Sequence, residues 1–168
     1  MKAVVFGLFV IGLTSLGIAQ ENTNGIQTVE LEAVTVSANA AYINMVNDAS
    51  TPEVVKELHL KAAQFDPRSA QDFDPKDKNP YEAIFKASNG SLVAAYGPSG
   101  VILSSQARFS DVTLPLSVRE KVFAKNEGWK MKGNQFMSTY VDSELIKQRY
   151  KIRLENDDRS KKIIFDFQ

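Results

Sequence analysis

The segment Lys147-Gln148-Arg149-Tyr150-Lys151-Ile152-Arg153-Leu154 is the stretch of this 168-residue chain whose spacing does most to organise charge. Side chains of a strand alternate between faces, so Lys147, Arg149, Lys151 and Arg153 share one face and Gln148, Tyr150, Ile152 and Leu154 the other. Successive cations then stand roughly 7 Å apart. In the following run Lys162, Ile164 and Asp166 alternate against Ile163, Phe165 and Phe167, which adds one cation and one anion to the same face. Such a row has two uses. It solvates an open sheet and blocks edge-to-edge strand pairing, or it forms a cationic platform for an acidic protein or glycan surface, improving orientation and association rate more than affinity. Tyr140 joins the platform if Met137, Thr139 and Val141 are the buried set of their strand, because tyrosine and arginine dominate interface hot spots. A one-residue slip puts Tyr140 in the core instead. The partner-contact set expected on these grounds is Arg149, Lys151, Arg153 and Tyr140.

Other chemistries find little support. His59 is the only histidine, and Leu60-Lys61-Ala62 after it gives no His-x-Gly-His phosphate cradle. A serine triad on His59 lacks a Gly-x-Ser-x-Gly elbow to expose its nucleophile, so His59 reads as a helix-surface histidine. Asp66, Asp72, Asp74 and Asp77 are not in the register of a calcium loop, which needs oxygen ligands at alternate positions, a central glycine and a closing glutamate. They read as a solvated loop. Neither Gly-x-Gly-x-x-Gly nor Gly-x-x-x-x-Gly-Lys occurs, which removes the common phosphate loops. The chain has no cysteine, which excludes disulfides, cysteine zinc sites, thiol nucleophiles and an acyl anchor at a cleavage-site cysteine. No catalytic residue, metal ligand set or cofactor is expected.

The first nineteen residues read as a secretory signal: Lys2, an apolar run from Ala3 to Leu16, then Gly17-Ile18-Ala19 with small residues at the positions a peptidase reads. The run is shorter than the roughly 18 to 20 residues that cross a bilayer, so cleavage near Ala19, a periplasmic location and no stable membrane insertion are expected. Lysine plus arginine equals aspartate plus glutamate at 20 each, and removal of Lys2 leaves 19 against 20. A net charge near zero argues against bulk nucleic-acid binding. Any electrostatic role must be local.

Residues 20–49 read as an extended N-terminal arm and 50–168 as one domain, with halves at 50–110 and 111–168. Within the arm, Glu30 to Ala38 is rich in β-branched residues and resembles the string that opens many outer-membrane receptor plugs, which leaves an accessory role in the cell envelope open. Ser50-Thr51-Pro52-Glu53 predicts a helix start, with a hydroxyl cap before proline, and Val55, Leu58, Ala62 and Phe65 give the helix an apolar face up to Asp66-Pro67. Tyr81–Lys86, the turn Ser88-Asn89-Gly90, Leu92–Tyr96, the turn Gly97–Gly100 and Val101–Arg108 predict a meander. A second helix opens at Leu114-Pro115 and buries Leu114, Val118 and Val122. Three or four short strands, over Trp129–Lys132, Phe136–Asp142, Lys147–Glu155 and Ser160–Phe167, finish the chain, with Trp129 expected in the core. The halves share one order, so the expectation is an α+β fold: two helices on one face of an antiparallel sheet, built as a tandem helix–meander repeat.

Leu114-Pro115-x-x-Val118, then Gly128-Trp129, then a tyrosine-led hairpin resembles the PepSY-like domains of Bacteroidetes, whose architecture is like that of beta-lactamase-inhibitor proteins. Val93-Ala-Ala-Tyr96-Gly97-Pro98-Ser99-Gly100-Val101-Ile102 is similar to that family's strand, glycine turn and strand. The resemblance spans about residues 42–168. Gly97-Pro98-Ser99 departs from it where an aspartate or asparagine usually follows the tyrosine. It implies a small exported protein that binds or restrains another protein in the periplasm or envelope, with no catalytic residues to carry over. A periplasmic enzyme with an unfamiliar site remains the alternative, and would show a deep pocket lined with polar groups.

Overall fold

The computed structural model describes residues 38–167. The expected signal over 1–19 and the Glu30–Ser37 part of the arm lie outside the described residues. Helix α1 (Ala40–Val46) is followed by α2 (Glu53–Gln64) and a short 3-10 turn at Pro67–Ser69. Then come β1 (Tyr81–Ala87), β2 (Gly90–Tyr96), β3 (Ile102–Ser110), α3 (Leu116–Ala124), β4 (Lys130–Val141), β5 (Glu144–Asn156) and β6 (Arg159–Phe167). The strands form one six-stranded sheet in the order β1-β2-β3-β4-β5-β6, every neighbouring pair antiparallel. The fold is α+β with an open sheet. Among the described residues no helix is long and apolar enough to cross a membrane.

Cross-strand register assigns the faces. Leu92 lies opposite Ala107, Ala107 opposite Ser138, Phe109 opposite Phe136, Phe136 opposite Tyr150, and Tyr150 opposite Phe165. These six inner positions on β2 to β5 are buried and Phe165 is half-buried. Hydrogen bonds from the helical segments reach the same face. Tyr42 Oη meets Ser105 Oγ at 3.0 Å, Tyr96 Oη donates to the Ala62 carbonyl at 2.8 Å, and Tyr150 Oη donates to the Ser50 carbonyl at 2.7 Å. Burial pushes the pKa of all three phenols upward, so they remain donors.

Several expectations need correction. The extended arm ends earlier than expected, because Ala40–Val46 is helical. Tyr42 and Val46, four apart and both buried, provide its inner side. Before it, Asn39 Nδ2 donates to the Ala63 and Gly100 carbonyls while its Oδ1 accepts from Ile102 N–H at 2.9 Å. Ser50 and Thr51 do not cap α2. Pro52 occupies the N-cap position, and both hydroxyls turn to Asp48, at 2.8 and 2.9 Å. His59 is not on the surface: Val55, Leu58, His59, Ala62 and Ala63 are the buried residues of α2. Trp129 is half-buried rather than fully in the core, with Lys161 Nζ 4.0 Å from its ring centre.

The two strands expected at Trp129–Lys132 and Phe136–Asp142 are one strand, β4, interrupted by a register shift between Met131 and Gly133. A glycine inside an apolar-polar alternation marks such a bulge. Gly90 also has a packing reason. A Cβ there would stand 2.4 Å from the Arg108 carbonyl oxygen and 2.5 Å from the Phe109 ring, so the Asn-Gly turn needs glycine for the close approach of β3.

Candidate functional site

The outer face of the sheet carries the charge. Arg149 lies opposite Asp166 on β6 and Met137 on β4, and Met137 opposite Arg108 on β3. Lys151 lies opposite Gln135 and Ile164, and Arg153 opposite Gly133 and Lys162. Lys147 lies opposite Thr139. Arg108, Lys151, Arg153 and Lys162 are exposed, and Lys147 and Arg149 half-exposed. The expected row of four cations on β5 thus sits on one face, with Gln148, Tyr150, Ile152 and Leu154 buried on the other.

Arg149 is the member of the row with a partner. Its guanidinium forks onto Asp166, Nε to Oδ1 and Nη2 to Oδ2 at 3.0 Å. That hydrogen bonding holds the Asp166 carboxyl below the usual range and raises Arg149. Among the described residues no carboxylate lies within 4.0 Å of the charged groups of Lys147, Lys151, Arg153, Lys162 or Arg108.

Tyr140 must be removed from the contact set. It is 4 % exposed, and its ring packs edge-on against Tyr42 of α1 with centroids 4.9 Å apart. The register places it opposite Ser105 on β3, the inner-face residue that also bonds Tyr42. The β4 alternation was compatible with either face, and α1, absent from the expected elements, supplies the neighbour that decides it.

A cleft of about 580 Å³ opens on the cationic face where β3 ends and β4 bulges, lined by Ser110, Asp111, Gly133, Gln135, Lys151, Arg153, Lys162 and Ile164 among others. Its floor is Gly133. A Cβ there would lie 3.0 Å from Asp111 Oδ1 and 3.9 Å from Arg153 Nη2, so both side chains lean over the bare backbone. Asp111 adopts φ 51°, and its Oδ1 accepts the Asn134 N–H at 3.1 Å. Asn134 in turn spans Val112, accepting from its N–H at 3.2 Å and donating to its carbonyl at 2.9 Å. The loop after β3 is thereby fastened to the bulge of β4. Asp111, Gly133, Gln135 and Ser110 were not singled out from the sequence. The signal available was Gly133 within a strand pattern.

The polar cluster inside the molecule has another purpose. Gln148, buried in the row of β5, holds Nε2 within 3.0 to 3.1 Å of Asp48 Oδ1, Ser50 Oγ and Thr51 Oγ1, three acceptors that share its two N–H groups. Burial raises the Asp48 carboxyl, but the bonds from Ser50, Thr51 and Gln148 outweigh it and hold the group below its ordinary value. This cluster ties the loop between α1 and α2 to the sheet. Among the described residues no group of three or more His, Cys, Asp or Glu side chains is arranged to hold a metal ion. Comparison of the chain with family models, curated proteins and solved structures finds no match to any of them.

Proposed function

We propose that this chain is an exported, non-catalytic binding module of PepSY-like plan that engages an acidic protein partner in the periplasm or envelope through the outer face of its sheet. Arg149, Lys151 and Arg153 are the contacts, joined by Arg108 and Lys162. The reading rests on one observation above the others: Arg108, Lys151, Arg153 and Lys162 share one face with no ion-pair partner among the described residues, the paired acids of that face being Asp166 on Arg149 and Glu155 on Lys132. A solvated face designed only to stop strand pairing needs charge chiefly at its edge. Here Lys151, Arg153 and Arg108 lie on interior strands, where edge protection has no use for them.

The element order supports the tandem plan. Helices α1 and α2 precede the meander β1 to β3, and α3 precedes the meander β4 to β6. The apolar run Ala3–Leu16 with Gly17-Ile18-Ala19 supports export. Expressed with its full N-terminus in a Gram-negative host, the protein should be recovered from the periplasm with Gln20 first, as read by intact mass. The binding reading is tested with the chain from Gln20 as immobilised bait in periplasmic extract. A retained partner should elute as salt approaches about 1 M, where the screening length is about 3 Å, and should be lost with K151E/R153E bait of unchanged melting temperature. A partner retained equally by both baits overturns the proposal.

A further inference from the structure

The cleft at Gly133 allows the partner's chemistry to be specified, and this step rests on the binding reading above. We infer that the cleft recognises an extended acidic segment whose carboxylates fall on alternate residues, lying along β5. The cations occur at two separate points. Arg153 and Lys162 are directly opposite each other on adjacent strands, close enough, at about 5 Å between Cβ atoms, to share one carboxylate. Lys151 stands two residues along the same strand face, about 7 Å away. An extended peptide repeats its same-face side chains at that interval, so acids at positions i and i+2 meet the two points together.

A single small anion cannot reach both points, whereas two carboxylates on an extended chain can. Gly133 matters because it offers no side chain between the strands. Its bare backbone leaves room for the Arg153 guanidinium and the Asp111 carboxylate over the same point, 3.9 and 3.0 Å from where a Cβ would stand. Asp111 is the carboxylate in the cleft, and its repulsion limits the acidic pattern at that end to the pair. Beside Lys151, Ile164 is 55 % exposed and presents apolar surface to the methylene stem of a glutamate. Ser110 and Gln135, opposite each other on β3 and β4, supply hydrogen-bonding groups along the rim.

The test is fluorescence anisotropy of the chain from Gln20 with a dye-labelled peptide of alternating glutamate and valine. Two control peptides accompany it: the glutamine version, and one of equal composition with its glutamates contiguous. The alternating peptide should bind at least about tenfold tighter than either control, and K151Q/R153Q should remove that advantage. Amide shifts in the unaltered protein, concentrated at Ser110, Gly133 and Gln135, give a readout that does not depend on any variant folding. Equal binding of the contiguous peptide overturns the spacing argument, and tighter binding of a sulfated oligosaccharide overturns the peptide assignment. If no peptide binds while K151E/R153E still abolishes partner capture, this inference falls and the binding reading stands. If capture is also unchanged, both fall.

Discussion

His59 is a buried base held neutral. Its Nδ1–H donates to Asn47 Oδ1 at 2.7 Å, its ring packs edge-on against Tyr42, and among the described residues Nε2 has no partner. A bare acceptor is tolerable in this apolar surrounding, but a protonated Nε2–H would be buried without an acceptor. Burial accordingly lowers the pKa from 6.5 to about 4. The unfolded chain takes up the proton first as pH falls, so stability is constant above about 6.5 and declines through the window down to about 4, by about 3 kcal/mol. Urea midpoints measured across that window should show the decline, and H59Q should flatten it. The carboxyls held low, Asp48, Asp66 and Asp166, start from 3.8 and lose their contribution only below it. A slope that survives H59Q would refute the assignment. A second residue-scale prediction concerns Gly133→Ala. The new Cβ crowds Asp111 Oδ1 at 3.0 Å and should cost about 1 kcal/mol in a denaturant titration, because the loop after β3 must shift. Both residues show where the sequence stopped short. His59 lies four residues after Val55 and three before Ala62, on an apolar stripe wide enough to include it. Gly133 read as a gap between strands because a bulge breaks the alternation that identifies a strand.

At the scale of elements, β5 is the most legible part of the molecule because from Lys147 to Leu154 its charged residues alternate strictly with the buried ones. That alternation alone separates its cationic face from its buried one. Helix α1 was illegible. Its seven residues span barely two turns, too short to display a period, and its two buried side chains read equally well as parts of an extended segment. What fixes α1 is non-local: Asn39 before it binds the end of α2 and the turn into β3, residues 24 to 63 positions away. Those bonds are buried and their partners are backbone groups that would be left unpaired. Asn39→Ala should therefore destabilise the protein by about 2 to 3 kcal/mol, measured as a lower urea midpoint at pH 7. Since the cationic cleft lies on the outer face, the variant should keep the affinity of the folded protein for any ligand bound there. Coupled loss of both would mean that α1 supports the cleft directly.

Across the whole molecule, charge is balanced in total and segregated in space. Lysine and arginine match aspartate and glutamate over the chain, while the outer face of β3, β5 and β6 sets Arg108, Lys147, Arg149, Lys151, Arg153 and Lys162 against two paired carboxylates, Glu155 and Asp166, so the field arises from arrangement rather than net charge. That arrangement depends on the two meanders being one sheet. Seven residue pairs, from Ser104 opposite Val141 to Ser110 opposite Gln135, join β3 to β4 across the boundary between the halves. The buried residues of both halves, from Tyr42 to Leu154, belong to one hydrophobic cluster. If each half folded on its own, this seam would be an interface, and the halves could melt separately. With the seam hydrogen-bonded along its length and the core shared, neither half can expose its strands without exposing the other's apolar face. Trp129, the single tryptophan, stands just before β4 and reports on the second half, whereas far-ultraviolet circular dichroism averages over both. Urea titrations followed by the two signals should therefore superimpose, with one midpoint and one slope. Separate midpoints would show that the cleft, whose walls come from both sides of the seam, is assembled by docking of two units rather than by a single folding event.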